Sequence, residues 1–307
     1  MQSRWPTETM ATEQFQHAWG AIMDIRKIDR ILPAKAVSEG AGVTVRRTIG
    51  TQLLRNLDPF LMLDHFGSDN PNEYLAGFPD HPHRGFVTFT YMLDGHMLHK
   101  DSMGNTGDLK AGGVQWMKAA SGVIHSEMPQ QKEGLMRGFQ LWINLPAKEK
   151  MSAPEYQEFS PHMIPEVSGD GFKVRVLCGR YENASGAVQD PNTEAFYLDV
   201  ALQSQRSFHY ATPSEHTCFL YVFEGDVQVD GQALNTHTLV TFSAGAAVSI
   251  QSKENNARFI LVGGRPLKEP IVQYGPFVMN TREEIEQAFS DYQAGRLVRS
   301  KAPRIGE

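Results

Sequence analysis

Short apolar runs alternate with tight turns along most of this chain, and that alternation leaves few folds open. The runs are rich in Val, Phe, Thr, Tyr, Trp and Leu, the residue types that strands favour. Many short strands at close spacing are typical of a β-sandwich or β-barrel. We therefore predict an all-β protein. The turn signals in one stretch of the first half are Asp94-Gly95, Gly104-Asn105, Gly107-Asp108, Gly112-Gly113 and Ser121-Gly122.

One helix is predicted, near the end of the chain, at about residues 281 to 294. Thr281 can cap it, and Glu284 three residues later completes a capping box. Gly295 is placed to end it. The apolar stripe of this helix consists of Ile285, Ala288, Phe289 and Tyr292.

The chain divides into two strand-rich halves. Residues 143–167 carry four prolines and several charges after a strand-like run, so we place the boundary near residue 150. A faint repeat supports two related barrels, because TYMLDG (90–95) matches LYVFEG (220–225) at an offset of 130. We predict an extension over residues 1–35, a first domain over 36–150, and a second domain with the helix over 151–307.

Charge and cysteine content exclude several classes of function. The net charge of −6 lacks the basic footprint of a nucleic-acid-binding protein. The pair Arg46-Arg47 is too short to change this, and we expect both arginines to be solvated. Cys178 and Cys218 form no disulfide framework or thiolate metal site, which fits a reducing compartment such as the cytoplasm. We also expect no membrane span and no secretory signal.

Two pairs of polar residues predict a metal site in the first half. Residues i and i+2 of a strand point to the same face, as His81 and His83 do if that run is a strand. Pro82 between them suits an edge strand. His125 and Glu127 form a second such pair. Two facing strands would then present three imidazoles and one carboxylate, and no comparable pair is found in the second half.

The ligand types narrow the metal and the substrate. Imidazoles with one carboxylate suit Fe, Ni, Cu, Mn or Zn, and open coordination positions favour non-haem iron. A divalent ion held by three neutral imidazoles and one carboxylate keeps a net charge of +1. That charge favours an anionic substrate such as a deprotonated phenol or enol.

The remaining candidates are interpreted as structural. His96 and His99 follow a turn and are expected in a loop or on the surface. His65 is expected to be packed and hydrogen-bonded. Trp116 and Trp142 are expected in the core, although both could line a pocket for a flat aromatic ligand. We expect Arg84 to be a salt-bridged structural residue that could alternatively steer an anion.

At these residues the sequence resembles the pirin family of the cupin superfamily. The resemblance runs from about residue 36 to about residue 296. It implies a bicupin, that is, two antiparallel jelly-roll barrels with a short C-terminal helix and the metal in the first barrel. The stretches that carry the resemblance are NLDPFLMLDHF, GFPDHPHRGF, GNTGDL, VQWMKAASGVIHSEMP, QLWINLPAKEKMSAPEYQ and EPIVQYGPFVMNTREEI.

The resemblance also implies the ligands and two kinds of activity. The metal would be held by His81, His83, His125 and Glu127, most readily as iron(II), with Ni, Cu, Mn, Zn or Co as alternatives. Some pirins are similar to quercetin 2,3-dioxygenases and act on a flavonol with O2, and Glu127 could then also serve as a general base. Others are metal- and redox-sensing regulators that bind a protein partner. Val87 departs from the family, since many pirins carry glutamate there, and this puts the polarity near the metal in doubt.

Overall fold

The computed structural model describes residues 24–299 of the chain. Residues 1–23, which include most of the predicted extension, lie outside the described residues. The described part is built from strands with one α-helix, α1 (Arg282–Gln293), and three short 3-10 turns at Pro71–Glu73, Ala147–Glu149 and Pro161–Met163. None of its helices is both long enough and apolar enough to span a membrane.

The strands run in two series. The first series is β1 Ile28–Pro33, β2 Lys35–Glu39, β3 Val43–Arg47, β4 Phe60–Ser68, β5 Phe78–His83, β6 Phe86–Asp94, β7 His96–Asp101, β8 Thr106–Lys110, β9 Val114–Lys118, β10 Val123–Pro129, β11 Met136–Asn144 and β12 Glu155–Phe159. The second series is β13 Glu166–Gly169, β14 Phe172–Cys178, β15 Arg180–Tyr181, β16 Ala184–Ser185, β17 Phe196–Leu202, β18 Ser207–Ala211, β19 Thr217–Glu224, β20 Val227–Val229, β21 Gln232–Leu234, β22 Thr238–Phe242, β23 Ala247–Ser252, β24 Ala257–Gly264, β25 Val272–Tyr274 and β26 Phe277–Met279.

Two barrels share one strand order, which confirms the predicted fold class. The first barrel has a large sheet, β12-β9-β6-β11-β4-β3-β2, and a small sheet, β5-β10-β7-β8. The second has a large sheet, β1-β22-β19-β24-β17-β14-β13, and a small sheet, β18-β23-β20-β21. The repeated hexapeptides fall on β6 and β19 and the turns after them, and these strands hold the same place in their sheets. The repeat in the sequence therefore reflects two copies of one barrel.

The largest apolar cluster lies between the two barrels. Side chains alternate along a strand, so Phe89 and Tyr91 of β6 face the second barrel while Thr90 faces into the first. Phe89 meets Tyr197 at a ring-centroid distance of 5.2 Å, and Phe60 meets Phe219 at the same distance. Each large sheet therefore buries one face against the other sheet and encloses its own interior with the second face.

Both ends of the described chain cross to the opposite barrel. β1 pairs with β22 and so closes the large sheet of the second barrel. At the other end, the hairpin β25–β26 and helix α1 pack on the first barrel, where Arg84 makes a buried 2.9 Å ion pair with Asp291. Gly85 has no room for a side chain, because an added Cβ would lie 1.9 Å from the carbonyl oxygen of Val278 in the hairpin.

The helix prediction is confirmed in its bounds and its cap. Thr281 is the N-cap, and its hydroxyl accepts a hydrogen bond from the backbone N–H of Glu284. Ile285 and Ala288 are buried, whereas Tyr292 lies at the exposed edge of the stripe. Arg84 forms a salt bridge with Asp291, which confirms the prediction that it is a structural residue.

The proline-rich joint contributes to the first barrel. β12 lies within residues 143–167 and pairs with β9 at the edge of the large sheet. The division of the chain near residue 150 stays a prediction.

Candidate metal centre

Two neighbouring strands of the small sheet of the first barrel bring the predicted histidines together. β5 is the edge strand of that sheet, as Pro82 predicted, and it pairs antiparallel with β10. In this register His81 lies directly opposite His125, and His83 lies opposite Val123. The i and i+2 spacing of His81 and His83 then places both imidazoles beside that of His125.

The three imidazoles form a compact triangle. Ring centroids are 4.7 Å apart for His81 and His83, 4.3 Å for His81 and His125, and 4.9 Å for His83 and His125. One ring nitrogen from each lies within 4.8 Å of the others. Such a cluster could hold a metal ion.

The unpaired nitrogens of this triangle fit a metal. Nδ1 of His83 and Nε2 of His125 are buried and have no hydrogen-bond partner among the described residues. Nδ1 of His81 lies 2.8 Å from the carbonyl oxygen of Pro79, so it carries the proton and leaves Nε2 with a free lone pair. Buried nitrogens without partners are costly unless they are ligands. The donor set therefore fits a divalent transition metal.

Burial also keeps two of these histidines neutral. Desolvation lowers the pKa of His83 and of His125 well below the usual range, and neighbouring imidazoles lower both further. A neutral imidazole offers a lone pair to a metal, so both side chains are in the form that binds it.

Glu127 lies two residues after His125 on β10, and two side chains fix its carboxylate. Its Oε1 is 3.1 Å from the hydroxyl of Thr90, and its Oε2 is 3.3 Å from the amide nitrogen of Gln140. Its carboxylate belongs to a second possible ligand group, with His99 and His125. The structure thus brings together His81, His83 and His125. Glu127 lies in the second group, which shares His125 with the first.

The prediction that His99 lies in a loop or on the surface is wrong. His99 is on β7, is 1% exposed, and pairs directly with Glu127 of β10. Its Nδ1 is 3.3 Å from Nδ1 of His125, and its ring stacks on Tyr156. His96 is at the surface, where it pairs with Asp108. The spacing of His96 and His99 could have predicted this, because two residues three apart on one strand point to opposite faces and one of them must point inward.

Other predicted residues have clear places. His65 is buried and 3.2 Å from the hydroxyl of Tyr221, which confirms the packed reading. Trp116 lies in the core between the barrels, but Trp142 lines the cavity beside His83, at a ring distance of 5.1 Å. Val87 packs in the core between the barrels. The departure at this position therefore changes that core and not the polarity around the histidines.

A cavity of about 650 Å³ adjoins the histidines. Its apolar wall includes Met62, Phe66, Phe78 and Trp142, and the crossing hairpin adds Gln273, Gly275 and Pro276. Its polar lining includes His81, His83 and Glu127, and further away Glu39, Arg47 and Asp64. The expectation of a solvated Arg47 is wrong, since its side chain is 16% exposed and faces this cavity.

The equivalent strands of the second barrel are apolar on their inner face. β18 and β23 correspond to β5 and β10 in strand order. They bury Phe208, Val248 and Ile250 in a hydrophobic cluster. The second barrel is thus packed where the first carries its histidines.

Comparison with known proteins gives matches over nearly the whole chain. Residues 42–143 match the Pirin family model, and residues 197–298 match the model described as Pirin C-terminal cupin domain. A Pseudomonas aeruginosa protein named "Putative quercetin 2,3-dioxygenase" is 50% identical over 268 residues, 85% of this chain and 94% of its own length. A "Pirin-like protein" of Caulobacter vibrioides is 46% identical over 90% of this chain and 100% of its own. The crystal structure of a quercetin 2,3-dioxygenase from Acinetobacter baumannii superposes with a TM-score of 0.83 at 34% identity, covering 91% of this chain and 100% of that one.

Proposed function

The chain belongs to the pirin family, and we propose that it is a metal-dependent dioxygenase that cleaves a flavonol such as quercetin with O2. The observation that carries the proposal is the cluster of His81, His83 and His125, with the fixed carboxylate of Glu127, beside a cavity of small-molecule size. A volume of about 650 Å³ lies within the range of small-molecule sites. Relatives named for quercetin 2,3-dioxygenase activity support this choice of substrate.

Four residues of this chain would hold the metal: His81, His83, His125 and Glu127. Pirin and cupin proteins bind a metal, and we propose iron(II) for this one, with Ni, Cu, Mn, Zn or Co as alternatives. A bound divalent ion would supply a Lewis acid for the substrate oxygen and, as iron, a redox centre for O2. Three imidazoles and the carboxylate of Glu127 would leave a divalent ion with a net charge of +1, which favours an anionic ligand.

Glu127 would create that anion as a general base. Thr90 and Gln140 hold its two oxygens at 3.1 Å and 3.3 Å, so the carboxylate is kept at the cavity wall and away from solvent. The hydroxyl of an entering flavonol gives its proton to Glu127 and is left as an enolate. The apolar wall, with Trp142 and Phe66, excludes water from the flat ring system.

We also place this activity in the cytoplasm. Cys178 and Cys218 are both buried free thiols, which fits a reducing compartment.

The test is O2 consumption together with loss of the flavonol absorbance band, for protein loaded with iron, nickel or copper. We expect His81→Ala to lose most of its metal and keep its fold. We expect Glu127→Gln to lower the turnover rate about 10²- to 10⁴-fold. The exposed His162, far along the chain from this site, provides the matched control His162→Ala, which should keep both metal and rate.

Two results would contradict these assignments separately. Full metal content in purified His81→Ala would refute the ligand set. A Glu127→Gln variant with its metal and full rate would remove the general base. If all three metal forms leave flavonols intact, the dioxygenase proposal falls, and the metal- and redox-sensing regulator that binds a protein partner takes its place.

A further inference from the structure

A cluster of three charged residues, Glu39, Arg47 and Asp64, lines the same cavity as the histidines. Arg47 donates from Nε and Nη2 to the two oxygens of Asp64, at 2.7 Å and 2.6 Å. Its Nη2 also lies 2.8 Å from Glu39. We call these residues the Arg47 cluster. Nothing in the proposed chemistry at Glu127 uses it.

The register of the large sheet gives the distance between Arg47 and Gln140, the residue that holds Glu127. Arg47 of β3 pairs with Asp64 of β4, and Asp64 pairs with Gln140 of β11. Neighbouring strands are about 4.8 Å apart, so Arg47 lies about 10 Å across the sheet from Gln140. Gln140 holds Glu127, as described above. A flat molecule of two or three rings could therefore reach from the histidines to the Arg47 cluster.

The second barrel shows that the fold does not need polar residues in this row. Across the first barrel the inner row reads Arg47, Asp64, Gln140, Thr90 and Gln115, each paired with the next. Thr90 corresponds to Leu220 in the repeat. The paired row through Leu220 consists of Val176, Leu198, Leu261, Leu220 and Val240, all buried in one hydrophobic cluster.

A buried ion pair adds little to stability compared with apolar residues of similar size. The second barrel has the same strand order and carries apolar residues in the corresponding row. Function is therefore the better explanation for the charged pair of Arg47 and Asp64 in the first copy.

The charge of the Arg47 cluster selects the kind of group it can bind. The cluster contains one guanidinium and two carboxylates, so its net charge is negative. It therefore disfavours an anionic group on the ligand. Nη1 of Arg47 makes no hydrogen bond with any residue from 24 to 299. Glu39, whose side chain is 39% exposed, has room to accept a further hydrogen bond. A neutral hydroxyl can accept from Nη1 and donate to a carboxylate at once.

We propose that the Arg47 cluster binds a hydroxyl group on the far ring of the substrate, while the near end meets the histidines and Glu127. It makes the cavity selective for flavonols that carry a hydroxyl group on an outer ring in addition to the hydroxyl that Glu127 deprotonates. This inference rests on the proposed function, and it narrows the substrate class to polyhydroxylated flavonols. Arg47, Asp64 and Glu39 are then binding residues that determine specificity.

The experiment measures equilibrium binding of two flavonols to metal-loaded protein without O2, by quenching of tryptophan fluorescence. Quercetin carries hydroxyls on both outer rings, and 3-hydroxyflavone carries none there. We expect the wild-type protein to bind quercetin about tenfold or more tightly than 3-hydroxyflavone, because hydrogen bonds to charged groups are among the stronger ones. In the double variant Arg47→Met with Asp64→Leu, this preference should fall below about threefold.

The controls separate binding from folding. Arg206→Met with Asp170→Leu removes an exposed ion pair elsewhere and should leave the preference unchanged. Asp64→Asn keeps the shape of the side chain and removes one charge. It should lower quercetin binding without affecting 3-hydroxyflavone, and it replaces the double variant if that one does not fold.

The outcomes distinguish this inference from the proposed function. Equal affinity of the wild-type protein for both flavonols, binding of neither, or a preference that survives in the variants overturns the inference. Ring opening of both flavonols at equal rates leaves the dioxygenase function standing and removes the selectivity. Preferential binding of quercetin without O2 consumption supports the selectivity of the Arg47 cluster and contradicts the dioxygenase function.

Discussion

At the scale of single residues, burial does not separate a structural histidine from a candidate ligand. His65 and His125 are both buried. His65 stacks on Phe139 at 4.7 Å and contacts the hydroxyl of Tyr221, on the side of the sheet that meets the second barrel. His125 faces into the first barrel beside His81 and His83. The Nε2 of His65 and the Nε2 of His125 both lack a hydrogen-bond partner among residues 24–299. The face of the strand, and not the unpaired nitrogen, therefore distinguishes the candidate ligand.

The neutral state of His65 predicts a pH dependence of stability. Burial, with help from nearby His237 and arginines, lowers its pKa from 6.5 to about 3. Between pH 6.5 and pH 3 the unfolded chain therefore binds a proton that the folded chain does not. The free energy of unfolding must fall as the pH falls through this window, by about 1.4 kcal/mol per pH unit at most.

The variant His65→Phe tests this dependence. Between pH 6.5 and pH 4.5, denaturant unfolding should show a loss of stability about 2–3 kcal/mol smaller in the variant than in the wild-type protein. His162→Phe, at an exposed position, should behave as wild type. Identical pH profiles for His65→Phe and the wild-type protein would show that another group causes the dependence.

The sequence predicts the ligand pairs, whereas the places it predicts for His99 and Arg47 are wrong. His81 and His83 share a face because they are an i and i+2 pair, and the register of β5 on β10 places His125 beside them. The expectation for His99 is wrong because residues 96–101 form a strand and not a loop, and alternation along that strand puts His99 inside. The expectation for Arg47 is wrong because its burial depends on Asp64 of the partner strand β4. A single sequence contains the alternation of one strand but not its register against another.

At the scale of elements, helix α1 supports the strand that carries two predicted ligands. Arg84 directly follows His83, and its guanidinium is buried against Asp291 of the helix and the carbonyl oxygen of Ser121. The capping box made the helix predictable from local sequence. Its position on the first barrel was not predictable, because it depends on a contact between residues 207 positions apart.

Removing the helix side of this ion pair should be costly. Asp291→Ala leaves Arg84 buried without its carboxylate, and we expect a loss of about 3–5 kcal/mol in the free energy of unfolding. Metal affinity should fall as well, because the backbone beside His83 loses its anchor. Asp170→Ala breaks an exposed pair and should cost less than about 1 kcal/mol. A loss that small for Asp291→Ala would mean that the helix does not hold Arg84 in place.

At the scale of the whole molecule, the two barrels are joined as one structure. The apolar cluster between them includes side chains from both large sheets. Polar contacts cross the same interface: Tyr91 of the first barrel donates to Asp199 of the second at 2.5 Å, and Arg175 donates to the hydroxyl of Tyr91 at 2.8 Å. The repeat predicted two barrels, but it contained no information on how they pack.

The joined barrels should unfold together. We expect one calorimetric transition for the metal-loaded protein, and a higher midpoint than for the metal-free protein, because a ligand of the folded state stabilises everything that unfolds with it. Hydrogen exchange in β17 and β24, far from the histidines, should slow on metal binding. Two transitions, with metal shifting one of them alone, would show that the barrels are independent.

The crossing of the two chain ends bears on how the protein is taken apart by a motor that pulls it from one terminus. Traction on the C-terminal side first strips helix α1 and then the hairpin β25–β26, which carries Gln273, Gly275 and Pro276 of the cavity wall. The cavity beside the histidines therefore loses part of its wall before any strand of the second barrel is removed. Traction on the N-terminal side instead draws β1 away from β22 and opens the second barrel first. The end that an unfolding machine grips thus determines whether the cavity beside the candidate metal ligands opens at the beginning of degradation or near its end.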